Sequence, residues 1–168
     1  KIHISMNYLS CQRTDEELFN YCLKEYNSSN IFTKYLINNY FKNLLKIINC
    51  FDTNYKFLEV GCGAGESSRR IYSFLNGQSF EASEYDERYV RELKKLNLPF
   101  NVKQESVYEL KRGNNEFDCI FFLEVLEHLE YPEAALKELF RVSNKYVLIS
   151  IPCEPIWRIL NMFRFKYL

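Results

Sequence analysis

One stretch of sequence decides the fold: FLEVGCGAGE, which spans residues 57–66. It runs from apolar residues through three glycines into a segment that favours a helix. Glycine adopts backbone conformations that are closed to other residues and lets a ligand approach the chain closely. The N–H groups at the start of a helix point toward a bound group. We therefore predict a buried strand, a ligand-binding loop and a helix, in that order.

The spacing of the glycines distinguishes two kinds of nucleotide loop. A dinucleotide site needs G-x-G-x-x-G, but Glu66 occupies the place of the third glycine, so a nicotinamide or flavin site is disfavoured. The spacing here is G-x-G-x-G with an acid two residues ahead, which resembles the first motif of class I S-adenosylmethionine-dependent methyltransferases. The resemblance implies that an acid and free amide groups face the amino-acid end of S-adenosylmethionine. The implied cofactor contacts are Glu59, Gly61, Cys62, Gly63 and Gly65.

Secondary structure around this loop follows from apolar patterning. After the loop, short apolar runs alternate with helical stretches, which is typical of parallel strands joined by crossover helices. Before it, Thr14 and Glu17 form a capping-box pattern that opens one helix, and helical spacing from Ile31 to Ile48 indicates a second. The predicted strands lie near 56–60, 79–83, 100–104, 117–123 and 145–151, and the later helices near 66–75, 87–96, 125–129 and 133–142.

The predicted fold class is α/β: a doubly wound, mainly parallel sheet of about five strands, with helices on both faces and two extra N-terminal helices. The resemblance implies the strand order 3-2-1-4-5. It also implies two further strands, which we expect to be missing because the chain stops soon after Ile151. A chain of 168 residues forms one structural domain. We divide it into an N-terminal helical cap (1–55), a cofactor-binding core (56–152) and a C-terminal amphipathic segment (153–168).

Two later positions test the resemblance, and the second departs from the family pattern. Glu84 follows the second strand, where the family holds the ribose hydroxyls with a carboxylate, and the adjacent Tyr85 could lie against the adenine ring. Glu84 could instead be a solvated acid and Tyr85 a surface aromatic, and we favour the ribose contact for Glu84. After the third strand the family usually presents an acid to adenine, but this chain has Ser106 there. Either the Ser106 hydroxyl and the Val107 amide hold adenine, or Glu105 takes this role with a shift of register.

The sequence after the fourth strand supplies candidate catalytic residues. Leu123 ends that strand and is a predicted cofactor contact, and Glu124 and His128 follow it. Methyl transfer depends largely on holding the acceptor at attack distance, and a base helps when the acceptor is a hydroxyl or a weak acid. Glu124 and His128 are therefore the candidate bases, although His128 could instead anchor its loop by hydrogen bonding.

Glu124, Glu127 and His128 also form the pattern E-x-x-E-H, which is similar to the metal-binding motif of small-RNA 2′-O-methyltransferases. Those enzymes use another downstream histidine, and the only other histidine here is His3, so we predict no metal site. Amino-methyltransferases of nucleic-acid bases carry Asp/Asn-Pro-Pro-aromatic after the fourth strand, where this chain has LEVL at 123–126. That subclass is disfavoured.

Composition narrows the partners. Lys plus Arg and Asp plus Glu number 22 each, so no net field attracts a polyanion and nucleic acid is disfavoured. Six cysteines without a C-x-x-C pair indicate a reduced, cytoplasmic chain. The segment 153–168 mixes large apolar and basic residues. We expect it to cover the sheet or the cofactor site, while peripheral membrane contact or a homodimer stays open.

These features predict an enzyme that transfers a methyl group from S-adenosylmethionine to a small-molecule or lipid-like acceptor and releases S-adenosylhomocysteine. Two other interpretations stay open. Ser106 and the missing strands suggest a catalytically inactive regulatory domain that binds S-adenosylmethionine, which binding without turnover would favour. The E-x-x-E-H pattern suggests a metal-dependent RNA 2′-O-methyltransferase, which metal dependence would favour.

Overall fold

A five-stranded parallel sheet forms the centre of the molecule. The computed structural model describes residues 14–26 and 31–152; the segment 153–168 and His3 lie outside them. The strands are β1 (Lys56–Val60), β2 (Ser79–Glu84), β3 (Asn101–Gln104), β4 (Phe117–Leu123) and β5 (Ser143–Ser150). The helices are α1 (Asp15–Tyr26), α2 (Ile31–Ile48), α3 (Glu66–Phe74), α4 (Glu87–Lys95) and α5 (Pro132–Val142), with a 3-10 helix at Leu126–His128. The strand order is β3-β2-β1-β4-β5, which confirms the predicted fold class.

The winding of the sheet creates a crevice beside β1. The chain places β2 and β3 on one side of β1, then returns to place β4 and β5 on the other. Both neighbours are parallel to β1, so Phe57 lies opposite Phe80 on one side and Cys119 on the other. Ligands of open parallel sheets bind beyond the carboxyl ends of the strands, where the winding reverses. The loops after β1, β2 and β4 meet at that edge.

Apolar side chains cover both faces of the sheet. On one face, Phe57 stacks on Phe121 with 5.8 Å between ring centroids, and Phe41 of α2 and Ile71 of α3 join the same buried cluster. On the other face, Leu139 of α5 belongs to a second buried cluster. Each fully buried side chain of this size contributes roughly 1.5–3 kcal/mol. The two clusters hold the ends of the strands, and therefore the crevice, in place.

The N-terminal helices pack on this core. The predicted capping box is confirmed, because the Thr14 N–H donates to the Glu17 carboxylate (2.9 Å) and the Glu17 N–H to the Thr14 hydroxyl (3.2 Å). Phe19 of α1 is buried in the cluster that includes side chains of β1. An ion pair of 2.7 Å joins Asp15 to Arg91 of α4. Helices α1 and α2 therefore share a core with the sheet.

Element boundaries differ from the prediction by one or two residues, and β5 shows why. It begins at Ser143, two residues before the predicted start. A bulge opposite Asp118 lets the strand continue through Asn144 and Lys145. The Asn144 amide donates to the Asp118 carboxylate (3.0 Å), and the Lys145 ammonium lies 3.4 Å from it. These polar residues interrupt the apolar run on which the prediction rested.

Candidate active site

The glycine loop joins β1 to α3, and its glycines differ in their surroundings. Gly61, Gly63 and Gly65 all have positive φ, at 77°, 53° and 75°. A Cβ on Gly61 would lie 2.6 Å from Val125 Cγ2, and one on Gly65 would lie 2.7 Å from Leu93 Cδ2. Among residues 14–26 and 31–152, no atom beyond Gly63 and its chain neighbours lies within 4 Å of where a Cβ on Gly63 would be. Gly61 and Gly65 are therefore needed for close packing, whereas Gly63 faces open space.

The expectation that the loop offers free amide groups is wrong for Cys62 and for all three glycines, because the Gly63 N–H donates to Glu84 and the Gly65 N–H to the Cys62 carbonyl. The Gly61 and Cys62 N–H groups both donate to the Ser83 carbonyl of β2, at 2.8 and 3.0 Å. The Cys62 side chain is buried. These bonds form because the loop turns back over the end of β2, and they fix its path. The structure thus shows Gly61 and Cys62 shaping the loop rather than presenting donors to a ligand.

Glu59 lies beneath the loop and is fully buried. Its carboxylate accepts a hydrogen bond from the Ser68 hydroxyl in the first turn of α3, where the helix N-terminus favours negative charge. Burial raises the pKa of Glu59 to about 7; the Ser67 and Ser68 hydroxyls offset part of this rise and the Glu84 charge adds to it. Glu59 therefore joins β1 to α3.

Glu84 meets Gly63 at the open side of the loop. One carboxylate oxygen of Glu84 accepts from the Gly63 N–H at 2.7 Å, and the other accepts from the Asp86 N–H at 2.9 Å. Each carboxylate oxygen keeps a further lone pair that can accept from a hydroxyl. The structure thus brings together Gly63 and Glu84, two predicted site residues that are 21 positions apart in the sequence. Tyr85 beside them is 71% exposed.

In the segment after β3, Glu105 forms a buried ion pair with Arg112. Both carboxylate oxygens of Glu105 accept from Arg112, at 3.0 and 2.9 Å, and both side chains are 1% exposed. Because Glu105 is engaged there, the structure weighs against a shifted register that would turn it toward adenine. Ser106 is half-buried and its hydroxyl accepts from a backbone N–H two residues on. Val107 is buried, so Ser106 and Val107 remain the candidates.

A hydrogen-bonded chain of three side chains lies on the other side of β1. The Tyr40 hydroxyl of α2 donates to the Ser150 hydroxyl at 3.0 Å, and Ser150 donates to the Glu124 carboxylate at 2.7 Å. Glu124 has φ +57°, a strained conformation for a residue with a side chain. Leu123 ends β4 opposite Ser150 and packs against the apolar cluster.

Sequence reasoning identified Glu124 but missed Tyr40 and Ser150. Ser150 ends β5, so its position at the carboxyl edge of the sheet was a usable signal. Tyr40 lies 110 positions away from Ser150 on an N-terminal helix, and no local pattern indicates their contact.

His128 takes no part in the hydrogen bonds among Tyr40, Ser150 and Glu124. Its side chain is 61% exposed, and Nε2 lies 3.8 Å from a Glu127 carboxylate oxygen. Within the part of the chain that the structure describes, the His128 side chain makes no hydrogen bond to its loop, so that alternative gains no support. Within residues 14–26 and 31–152, no group of three or more His, Cys, Asp or Glu residues could hold a metal ion.

The fold and the loop define a Rossmann-like domain of the methyltransferase type. Residues 58–149 match the family described as a methyltransferase domain. This match spans more than half of the chain, and the chain belongs to that family, the class I S-adenosylmethionine-dependent methyltransferases. The cofactor of this family is S-adenosylmethionine.

Several known proteins are similar to this chain in structure or in sequence. A methyltransferase structure from Aquifex aeolicus has a TM-score of 0.57 and 21% identity, covering 74% of this chain and 77% of that one. One from Thermotoga maritima, described as a possible histamine N-methyltransferase, has a TM-score of 0.56 and 21% identity, covering 76% of this chain and 59% of that one. The sterol 24-C-methyltransferase of Aspergillus fumigatus is 30% identical over 97 residues, which are 52% of this chain and 24% of that protein. The chain thus spans about a quarter of that relative.

Proposed function

We propose that this protein transfers the methyl group of S-adenosylmethionine to a small-molecule or lipid-like acceptor and releases S-adenosylhomocysteine. The observation that carries the proposal is the meeting of Gly63 and Glu84. A glycine whose missing side chain leaves open space lies next to a carboxylate with lone pairs to spare. This pairing fits a ribose and the neighbouring part of the cofactor.

The residues of the chain would divide the binding as follows. Glu84 would accept the ribose hydroxyls, Gly63 would allow close approach, and Ser106 and Val107 would border adenine, with Tyr85 free to close over it. The cofactor supplies a methyl group on a positively charged sulfur, which a nucleophile attacks in line. Holding both partners at attack distance can lower the barrier by roughly 7 kcal/mol or more, and a rigid loop serves that purpose.

The acceptor class is inferred from charge and from one relative. The chain has 22 basic and 22 acidic residues, so it offers no net positive field for RNA. The sterol 24-C-methyltransferase to which it is similar bears a lipid acceptor in its name, which supports a lipid-like molecule. Glu124 would serve as the base, with His128 as the second candidate. We propose that Glu124 and His128 act without a metal ion.

A cytoplasmic location belongs to the same proposal. Cys50, Cys62 and Cys119 are free thiols, which suits a reducing compartment. Helices α1 to α5 include none that is long and apolar enough to cross a membrane. Peripheral membrane contact and a homodimer both depend on the segment 153–168, which lies outside the described residues.

Transfer of a labelled methyl group tests the proposal. The protein is incubated with methyl-labelled S-adenosylmethionine and three fractions of a cell extract: organic-soluble molecules, small polar molecules and RNA. We expect label in one of the first two fractions, without added metal and with the Glu84→Ala variant inactive. Label only in RNA with added divalent metal would contradict it in favour of RNA methylation. Cofactor binding without label in any fraction would contradict it in favour of a regulatory domain.

A further inference from the structure

The two hydrogen bonds that link Tyr40, Ser150 and Glu124 run in one direction. The Tyr40 hydroxyl donates to Ser150 Oγ, and Ser150 Oγ donates to Glu124 Oε1. A serine hydroxyl has one proton and two acceptor lone pairs. Because Tyr40 occupies a lone pair, the serine proton is directed to the carboxylate. The Glu124 N–H also donates to the Ser150 carbonyl at 3.1 Å, so backbone and side chain of Glu124 are both held by one residue.

Packing of its ring holds Tyr40 in place. The Tyr40 ring lies against the main apolar cluster and meets the Phe41 ring edge-on at 5.1 Å. Burial raises the pKa of Tyr40 to about 12, so its hydroxyl stays protonated and remains a donor at neutral pH. Helix α2 thereby extends a fixed donor to the carboxyl edge of the sheet, where β4 and β5 end.

The arrangement leaves one oxygen of Glu124 available. Within the described ranges, Oε1 is bound by Ser150 and Oε2 has no hydrogen-bond partner. The ionisable groups around the carboxylate are Glu127 and His128 from the following turn and Tyr40 from α2. Burial raises the pKa of Glu124; the Ser150 hydrogen bond and His128 lower it, and Glu127 raises it further. A half-buried carboxylate of raised basicity is suited to accept a proton.

We propose that Tyr40 and Ser150 are positioning residues that hold Glu124 so that its free oxygen takes a proton from the acceptor. The inference rests on the proposed function and narrows its acceptor to molecules that lose a proton on methylation, such as a hydroxyl or a weakly acidic N–H. A lone pair of the acceptor forms the new bond to the methyl carbon while the carbon–sulfur bond breaks. The bonding pair stays on sulfur as a neutral thioether. The acceptor proton passes to Glu124 Oε2 and then to water.

A pH titration of the side-chain carboxyls by carbon-13 NMR tests this arrangement without an acceptor. The Glu124 signal is assigned by its loss in Glu124→Gln. The Ser150 hydroxyl stabilises the charged form of the carboxylate, so we expect Ser150→Ala to raise the Glu124 midpoint by about one pH unit. Tyr40→Phe removes one oxygen and should move the midpoint the same way by about half as much. Tyr35→Phe alters an exposed tyrosine on the same helix and should leave the midpoint unchanged.

Titration with S-adenosylhomocysteine separates this inference from the proposed function. Tyr40→Phe and the wild type should bind it equally, within about twofold, because Tyr40 touches neither Gly63 nor Glu84. If the Glu124 midpoint is the same in Tyr40→Phe as in the wild type, the positioning role is overturned even though the cofactor binds. If the midpoint moves but the wild type does not bind S-adenosylhomocysteine, the proposed function fails, and the acceptor role of Glu124 fails with it. Tyr40→Phe alone decides the question should Ser150→Ala not fold.

Discussion

The two halves of the crevice are held by different kinds of contact. The half that we propose for the cofactor, the cofactor half, consists of the glycine loop and Glu84 and is fixed by backbone N–H groups that bond to Ser83 and Glu84 on the neighbouring strand. The half that we propose for the acceptor, the acceptor half, consists of Tyr40, Glu124 and Ser150 and is fixed by side chains of α2, of β5 and of the residue that follows β4. Ordering side chains that are distant in sequence costs conformational entropy. The cofactor half is therefore rigid by itself, whereas the acceptor half depends on the docking of α2.

The largest effect is expected when the space over the loop is filled. Gly63→Arg should abolish binding of S-adenosylhomocysteine, because the new side chain would occupy the open region beside Glu84. Gly77→Arg is the matched control, since Gly77 also has positive φ and open space but lies in the turn before β2. Each change places a side chain at positive φ and should lower stability by about 1 kcal/mol, or the melting temperature by about 2–4 °C. Equal binding by both variants would show that the cofactor half lies elsewhere.

The buried ion pair between Glu105 and Arg112, which holds the segment after β3, should be important for stability. Arg112→Ala leaves the buried Glu105 carboxylate without its partner, and breaking a buried pair in this way costs about 3–5 kcal/mol. The expected fall in melting temperature is roughly 10 °C, measured by circular dichroism. The double variant Arg112→Met with Glu105→Gln should recover more than half of that loss. A single variant as stable as the wild type would mean that this pair does not support the segment after β3.

Stability should depend on pH through Glu59, which belongs to the cofactor half. Its pKa is about 7 in the folded protein against an ordinary value of 4.5, so between these values the folded state holds a proton that the unfolded state releases. The free energy of unfolding should therefore fall by about 3 kcal/mol as pH rises from about 4.5 to about 7. Glu59→Gln should remove this part of the slope in denaturant titrations. Identical slopes for the wild type and Glu59→Gln would contradict a raised pKa at Glu59.

The smallest of these effects concerns Glu84. Glu84→Gln keeps the size of the side chain but turns one acceptor into a donor that faces a backbone N–H. Losing one hydrogen bond to a charged group should weaken S-adenosylhomocysteine binding roughly tenfold. Glu109→Gln removes the same charge from an exposed position after β3 and should bind like the wild type. Equal affinities for all three proteins would exclude Glu84 from the ribose contact.

The same difference between the halves explains what the sequence could predict. Gly61, Gly63 and Glu84 follow consecutive strands, so spacing and strand order were enough to bring them together. Tyr40 and Ser150 meet only after α2 has packed on the sheet, and nothing local to either residue indicates it. The engaged amides of Gly61 and Cys62 were also beyond prediction, because they depend on the path of the loop over β2.

A calorimetric titration of the wild-type protein with S-adenosylhomocysteine is the most direct test of the central claim, that the crevice beside β1 is a cofactor site. We expect one molecule to bind per chain with an affinity on the order of micromolar, about −8 kcal/mol. A folded protein that gives no binding heat and shows no rise in melting temperature with S-adenosylhomocysteine or S-adenosylmethionine would contradict it.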